Sequence, residues 1–143
     1  FEDELCEHII VMVQKEVAEK FTAKVNNKDY SSLGIITESI SIDSRILFDV
    51  PPESFDPPPK IMSSILYIKK DMDKHLDKDF NKFLKACFVQ PRKKLSKNLT
   101  SVVDKNTISK IYEELNIDDN VRPHEVSSSL YSQMHTRVKD GRN

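Results

Sequence analysis

The stretch FDVPPESFDPPPKIMSS, Phe48 to Ser64, constrains the fold more than any other part of this chain. It holds five of the seven prolines, packed around one exposed-looking aromatic, Phe55. Proline fixes its own φ and cannot donate a ladder hydrogen bond, so this segment is a stiff loop. Apolar runs flank it, SISIDSRILFDV before and KIMSSILYIK after, and both read as strands. Only about a dozen residues separate them, too few for the helical crossover that parallel neighbours need. The two strands are therefore expected to pair antiparallel, with the third strand entered at Lys60.

Upstream, HIIVMVQ (His8 to Gln14) is a short β-branched run of the kind predicted for a strand buried on both faces. It passes directly into KEVAEKFTAK, where Val17, Ala18 and Phe21 share one helical face. Strand followed at once by helix is the βα unit of an open α/β sheet, whose strand carboxyl ends line a ligand crevice. Gln14 and Lys15 lie at that end. NNKDYSS then reads as a loop, with Ser31 or Ser32 capping a helix over LGIITESI. Three strands with one clear helix leave the first strand with an apolar, unpaired edge, which native sheets avoid. Strands N-terminal to Phe1 are expected to complete the sheet.

After Lys70 the character changes. KDMDKHLDKD reads as a charged linker, and everything beyond it is predicted to be helical, dividing the chain into 1–70 and 71–143. Phe80, Phe83, Leu84, Cys87 and Phe88 form one apolar face. Pro91 suits the first turn of the next helix, with Leu95, Leu99, Val102 and Val103 inward. Thr107 is a candidate cap for TISKIYEEL. Leu130, Tyr131, Met134 and Val138 mark a last helix behind Ser127–Ser129. Tyr112 and Tyr131 read as core, and Arg122 to Glu125 as a helix-entry turn in which His124 has no catalytic part.

The net charge of −1 hides an uneven distribution. From Phe80 to Val103 there is no acidic residue but six bases: Lys82, Lys85, Arg92, Lys93, Lys94 and Lys97. Such a stripe points to a polyanion surface, against the commoner reading of a solvated helix face. Cys6 and Cys87 are far apart, and four scattered histidines lack metal-ligand spacing. That pattern predicts a reduced, cytoplasmic protein without structural zinc. No apolar run approaches membrane-spanning length. Ser63 and Ser64 have no nearby histidine and read as strand residues, not nucleophiles. A polyproline-ligand reading of Pro57–Pro59 is disfavoured by its position between two strands.

MVQKEVAEKFTAK, the YSSLGI loop, VPPESFDPPPKIMSS, PRKKLSKNL and RPHEVS occur in an order that resembles the bacterial small-subunit ribosomal RNA adenine dimethyltransferases, the KsgA/RsmA family. The likeness runs from about Ile10 to about Val138 (several motifs in register being far more specific than one). Erm resistance methyltransferases share the FxPxPK element, but PRKKLSKNL and RPHEVS favour the first family. Many relatives have Tyr-Gly where this chain has Tyr30-Ser31.

The resemblance implies the last three strands of a Rossmann-like methyltransferase sheet, followed by a small helical domain. It implies methyl transfer from S-adenosylmethionine to the exocyclic amines of two adjacent adenosines in small-subunit rRNA. It assigns Phe55 to stacking on the target adenine. Read from its residues alone, a lone Phe before prolines is more often a loop plug against the core than a base platform, and the resemblance reverses that order. Arg92, Lys93, Lys94 and Lys97, with Lys15 and Lys60 as weaker candidates, are expected to contact RNA phosphates. The cofactor motifs are expected upstream, because Gly34 and Gly141 are the only glycines and offer no nucleotide-cradling loop. The 143-residue chain is accordingly expected to be inactive alone and to work with the missing N-terminal half on the small ribosomal subunit. The alternatives are a non-catalytic RNA-binding or ribosome-assembly module, and an Erm-type enzyme acting on large-subunit rRNA.

Overall fold

The computed structural model describes residues 6–141, and the chain forms two compact units. One comprises the chain up to Lys24 together with Leu33–Leu76; the other comprises Val25–Ser32 and the chain from Asp77 onward.

The first unit is α/β. Strands β1 (His8–Gln14), β2 (Ser41–Val50) and β3 (Ser63–Lys70) form a sheet in the order β1-β3-β2, with β3 antiparallel to both neighbours. The antiparallel pairing expected across the proline loop is present. Because both outer strands oppose β3, they run parallel to each other, and Gln14 and Val50 flank Ser63 in one row. Helix α1 (Lys15–Thr22) leaves β1 without a linker and packs on β2 and β3, and helix α2 (Ser32–Ile40) leads into β2. Ala18, Ile35, Ile40, Leu66 and Ile68 are buried in this core.

Two expectations fail in this unit. β1 is not buried on both faces: Ile10 is 65% exposed and Met12 52%. Its apolar, β-branched composition suits a covered sheet, yet the described residues supply a layer on one face only. By register Ile10, Tyr67 and Arg45 share the other face with Met12, Ile65 and Phe48. Arg45 lies 5.5 Å over the Tyr67 ring and the His8 ring stacks with the same ring, so this face is only partly dressed. The third strand also begins at Ser63, not Lys60, because Pro57–Pro59 cannot join a ladder and the chain stays in the loop through Met62.

The second unit is helical: α3 (Lys78–Cys87), α4 (Leu95–Leu99), α5 (Lys105–Leu115) and α6 (Ser128–Gly141). The α3 face expected from the sequence is buried at Phe80, Phe83, Leu84 and Cys87. Asp77 caps it, accepting from the amides of Asp79 and Phe80. His135 of α6 packs against Phe80 and Phe83, and its Nε2 lies 2.7 Å from Asp79 Oδ2. Tyr131 donates from its buried hydroxyl to the Pro123 carbonyl. Residues 25–32 join this unit through Asn26, whose amide donates to the His124 carbonyl at 2.8 Å.

Three details differ from expectation here. Asp104, not Thr107, caps α5, its carboxylate accepting from the Thr107 amide at 2.7 Å. Pro91 lies in a turn before α4 and not in its first turn. Val102 is 41% exposed, because α4 ends at Leu99 and the helical face does not extend that far.

Candidate nucleic-acid interface

Phe55 sits at the foot of a 3-10 turn, Pro52–Ser54, that the prolines impose where β2 ends at Val50. Its amide donates to the Pro52 carbonyl at 3.2 Å, and the Asp56–Pro57 peptide is cis. The ring is half-buried, less open than its sequence context suggested; the openly exposed aromatic nearby is Phe48. A half-buried ring on a proline-stiffened loop is partly open to a partner while its backbone is held. Lys60 is exposed in the same loop.

Lys15 opens α1 at the carboxyl end of β1, the end of the strands at which open α/β sheets bind ligands. Its amide donates to the Met62 carbonyl at 3.0 Å, tying β1 to the end of the proline loop. Its ammonium donates to Asp49 Oδ2 at 3.0 Å, and the Ser64 hydroxyl donates to Asp49 Oδ1 at 2.7 Å. The Ser64 hydroxyl, and after it the Lys15 ammonium, hold the Asp49 carboxyl below its ordinary range. In return the Asp49 hydrogen bond and charge raise Lys15. Lys15 is thus a paired cation with a fixed position, which the sequence did not reveal. Asp49 is the residue sequence reading missed: in a strand it looks like one more polar alternation.

In the helical unit, Arg92, Lys93 and Lys94 are exposed on the turn before α4, and Lys97 is exposed within α4. The turn is built by Asn98. Its Oδ1 accepts from the Gln90 amide at 2.8 Å, while its Nδ2 donates to the Gln90 and Lys94 carbonyls. The Lys93 amide closes on the Gln90 carbonyl at 3.0 Å, and the Leu95 amide reaches the Val121 carbonyl at 2.8 Å. Asn98 is 7% exposed, and a buried amide so fully bonded holds backbone rigidly. A contact with the Lys93 amine, and then its charge, push Lys97 below the ordinary lysine value. Two like charges kept together repel each other until an anion bridges them.

Cys87 is buried and its thiol is pushed up to about 12 by desolvation, which removes it as a nucleophile. Among the described residues no group of His, Cys, Asp or Glu could hold a metal ion, and no helix is long and apolar enough to cross a membrane.

An antiparallel strand inserted between two parallel ones, with a helical unit following, is a fold found in dimethyladenosine transferases. A crystal structure of a dimethyladenosine transferase from Plasmodium falciparum superposes with a TM-score of 0.78 at 20% identity, over 94% of this chain and 57% of that one. The 23S rRNA methyltransferase ErmE is a more distant fold neighbour, with a TM-score of 0.59 at 16% identity.

The model of the ribosomal RNA adenine dimethylase family matches residues 2–140, and the chain belongs to that family. It is 83% identical over its whole length to a ribosomal RNA small subunit methyltransferase A from Aliarcobacter butzleri, and 46% identical over 97% of its length to one from Sulfurimonas denitrificans. It spans 54% and 52% of those two proteins, so about half the length of the curated relatives it matches.

Proposed function

We propose that this chain is the C-terminal part of an rRNA adenine dimethyltransferase. The whole protein transfers methyl groups from S-adenosylmethionine to two adjacent adenosines of small-subunit rRNA in the cytoplasm. The observation that carries the reading is the 83% identity, along the whole of this chain, to about half of a small-subunit methyltransferase A, together with the proline-held Phe55 at the strand ends. The Erm alternative has weaker support, resting on the shared FxPxPK element and the ErmE fold likeness.

An adenine amine is a poor nucleophile because its lone pair is delocalised into the ring. Methylation therefore depends on taking the base out of its stack and fixing it in line with the methyl donor. Phe55 supplies one stacking face for the extruded base, worth about 1–3 kcal/mol. The proline loop keeps that face in place before the base arrives, which lowers the ordering entropy lost on binding. Arg92, Lys93, Lys94 and Lys97 take phosphates and set the register of the RNA without reading its sequence. Lys60 contributes as an exposed cation beside Phe55, and Lys15 as a cation held by Asp49.

Neither glycine of the chain offers a nucleotide-cradling loop for S-adenosylmethionine. Gly34 is buried inside α2 and Gly141 ends α6, so neither opens a loop after a strand. The cofactor site is assigned to the other half of the full-length protein, and so is the cover for the open face of the sheet.

The test is to offer the full-length protein radiolabelled S-adenosylmethionine with unmethylated small and large subunits. Label is expected on adjacent adenosines of the small-subunit rRNA. Label on the large subunit favours the Erm reading, whereas salt-sensitive RNA binding without any label favours a non-catalytic module.

A further inference from the structure

The helical unit contains a cleft of about 500 Å³ between α4 and α5, a size within the roughly 300–1,000 Å³ of small-molecule sites. Its lining has two chemistries. Lys94, Lys97 and Lys105 are exposed cations on its walls. Ile108 and Tyr112 are buried residues that also line it, only 6% and 4% exposed. The Tyr112 hydroxyl is buried and has no hydrogen-bond partner among the described residues. An unmatched buried hydroxyl is costly in a folded protein, and a water or a ligand group that reached it would recover that cost. Burial, with Cys87 and Asp119 nearby, raises that phenol, so it stays protonated and able to donate at neutral pH. Asp119, exposed on the same cleft, adds an acceptor carboxylate.

A bare inorganic anion would satisfy the lysines but would leave the apolar floor empty and meet Asp119 unfavourably. A ligand that fills the whole cleft needs an anionic end for the lysines and a flat apolar body. It also needs an acceptor for Tyr112 and a donor for Asp119. A nucleoside monophosphate unit has all four: phosphate, base plane, ring nitrogen or carbonyl, and exocyclic amine or ribose hydroxyl. We propose that this cleft receives one unstacked nucleotide, with its phosphate on Lys94, Lys97 and Lys105 and its base or ribose against Ile108, Tyr112 and Asp119. Phe55 belongs to the sheet unit, whereas the cleft belongs to the helical unit. For the phosphate half it rests on the polyanion reading of the basic turn; the orphaned Tyr112 hydroxyl and apolar floor are independent of it.

The test uses the full-length protein with Ile methyl and Tyr ring resonances assigned. Adenosine monophosphate, uridine monophosphate, inorganic phosphate and a six-nucleotide single-stranded RNA are titrated in parallel. The mononucleotides are expected to shift Ile108 and Tyr112 saturably, and phosphate alone is expected to leave both unmoved. Tyr112→Phe should weaken the mononucleotides about three- to tenfold, as for loss of one hydrogen bond, while melting no lower than the wild type. A tighter response to the oligonucleotide assigns the cleft to an RNA strand, and a tighter response to the mononucleotides assigns it to a free nucleotide. Unmoved Ile108 and Tyr112, or the same shifts with phosphate alone, would overturn the proposal. The two readings fail separately. If Lys93→Ala, Lys94→Ala and Lys97→Ala together flatten the salt dependence of RNA binding while nucleotides never reach Ile108, only the cleft is lost. If the salt slope is unchanged but wild-type protein still shows the Ile108 shift, the polyanion reading falls and the cleft stands.

Discussion

In the helical unit, Leu84, Cys87, Leu95 and Tyr131 are completely buried among the helices described around them. In the sheet unit, Ile10, Met12 and Phe48 lie on one face with more than half of their surface open. Both units have clear secondary structure, and the sheet unit is the richer of the two in apolar residues. What differs is how many layers meet each hydrophobic surface: a helix stripe needs one partner, whereas a sheet rich in Val and Ile needs two. The contrast teaches that the helical unit closes its own core, whereas the described residues leave one apolar face of the sheet without a layer.

The largest expected effect sharpens this contrast. In the 143-residue chain, Leu84→Ala should cost about 2–5 kcal/mol in denaturant unfolding, as for a fully buried leucine. Met12→Ala should stay within about 0.5 kcal/mol, as for a surface change. A loss of several kcal/mol at Met12 would break the comparison, since it would mean that the open face is already covered.

Next in size is the basic turn. Replacing Lys93, Lys94 and Lys97 together with Ala should weaken RNA binding by the full-length protein. It should also lower the slope of log K against log salt by about 2–3. An unaltered slope would reduce the stripe to a solvated surface. Lys97 itself provides a sharper readout. Its depressed value means that repulsion from Lys93 is felt at neutral pH and relieved as pH rises through the folded-state value. Bound phosphate should therefore raise the Lys97 titration midpoint, measurable by side-chain NMR.

The smallest effect concerns the cluster at the strand ends. Asp49 is depressed, so its contribution is present above its ordinary value of 3.8 and is lost as pH falls through the lower folded value. Lys15 is raised, so its contribution is present below 10.5 and is lost as pH climbs through the higher folded value. Between those limits the pair is intact, and stability should be flat with pH on its account. Asp49→Asn should return the Lys15 midpoint toward 10.5 with little change in melting at pH 7. A Lys15 midpoint that stays raised would show that another group holds it.

Much of the fold was legible in the chain because its signals are local. The short proline loop forced antiparallel pairing of β2 and β3, and the apolar spacing from Phe80 to Cys87 marked the buried side of α3. The exposure of β1 was not legible, because a β-branched run reports that a strand expects cover but not whether cover is present. The turn before α4 was misread for a similar reason. Proline suits a helix start and a turn equally, and the choice is made by Asn98 reaching back eight residues to Gln90. Phe55 and the basic residues were visible as types; what holds Lys15 and the basic turn, Asp49 and Asn98 respectively, acts through contacts that spacing does not encode.

The central claim is that Phe55 is a stacking platform held by the proline loop and not a plug for the fold. The direct measurement is methyl transfer to small-subunit rRNA by the full-length protein carrying Phe55→Ala or Phe55→Trp, with thermal melting recorded for each. The platform predicts that Ala lowers the rate by about 10–100-fold, the equivalent of one stacking face, with melting almost unchanged, and that Trp restores most of the rate. A rate loss matched by a large drop in melting temperature, or full activity with Ala, would contradict it.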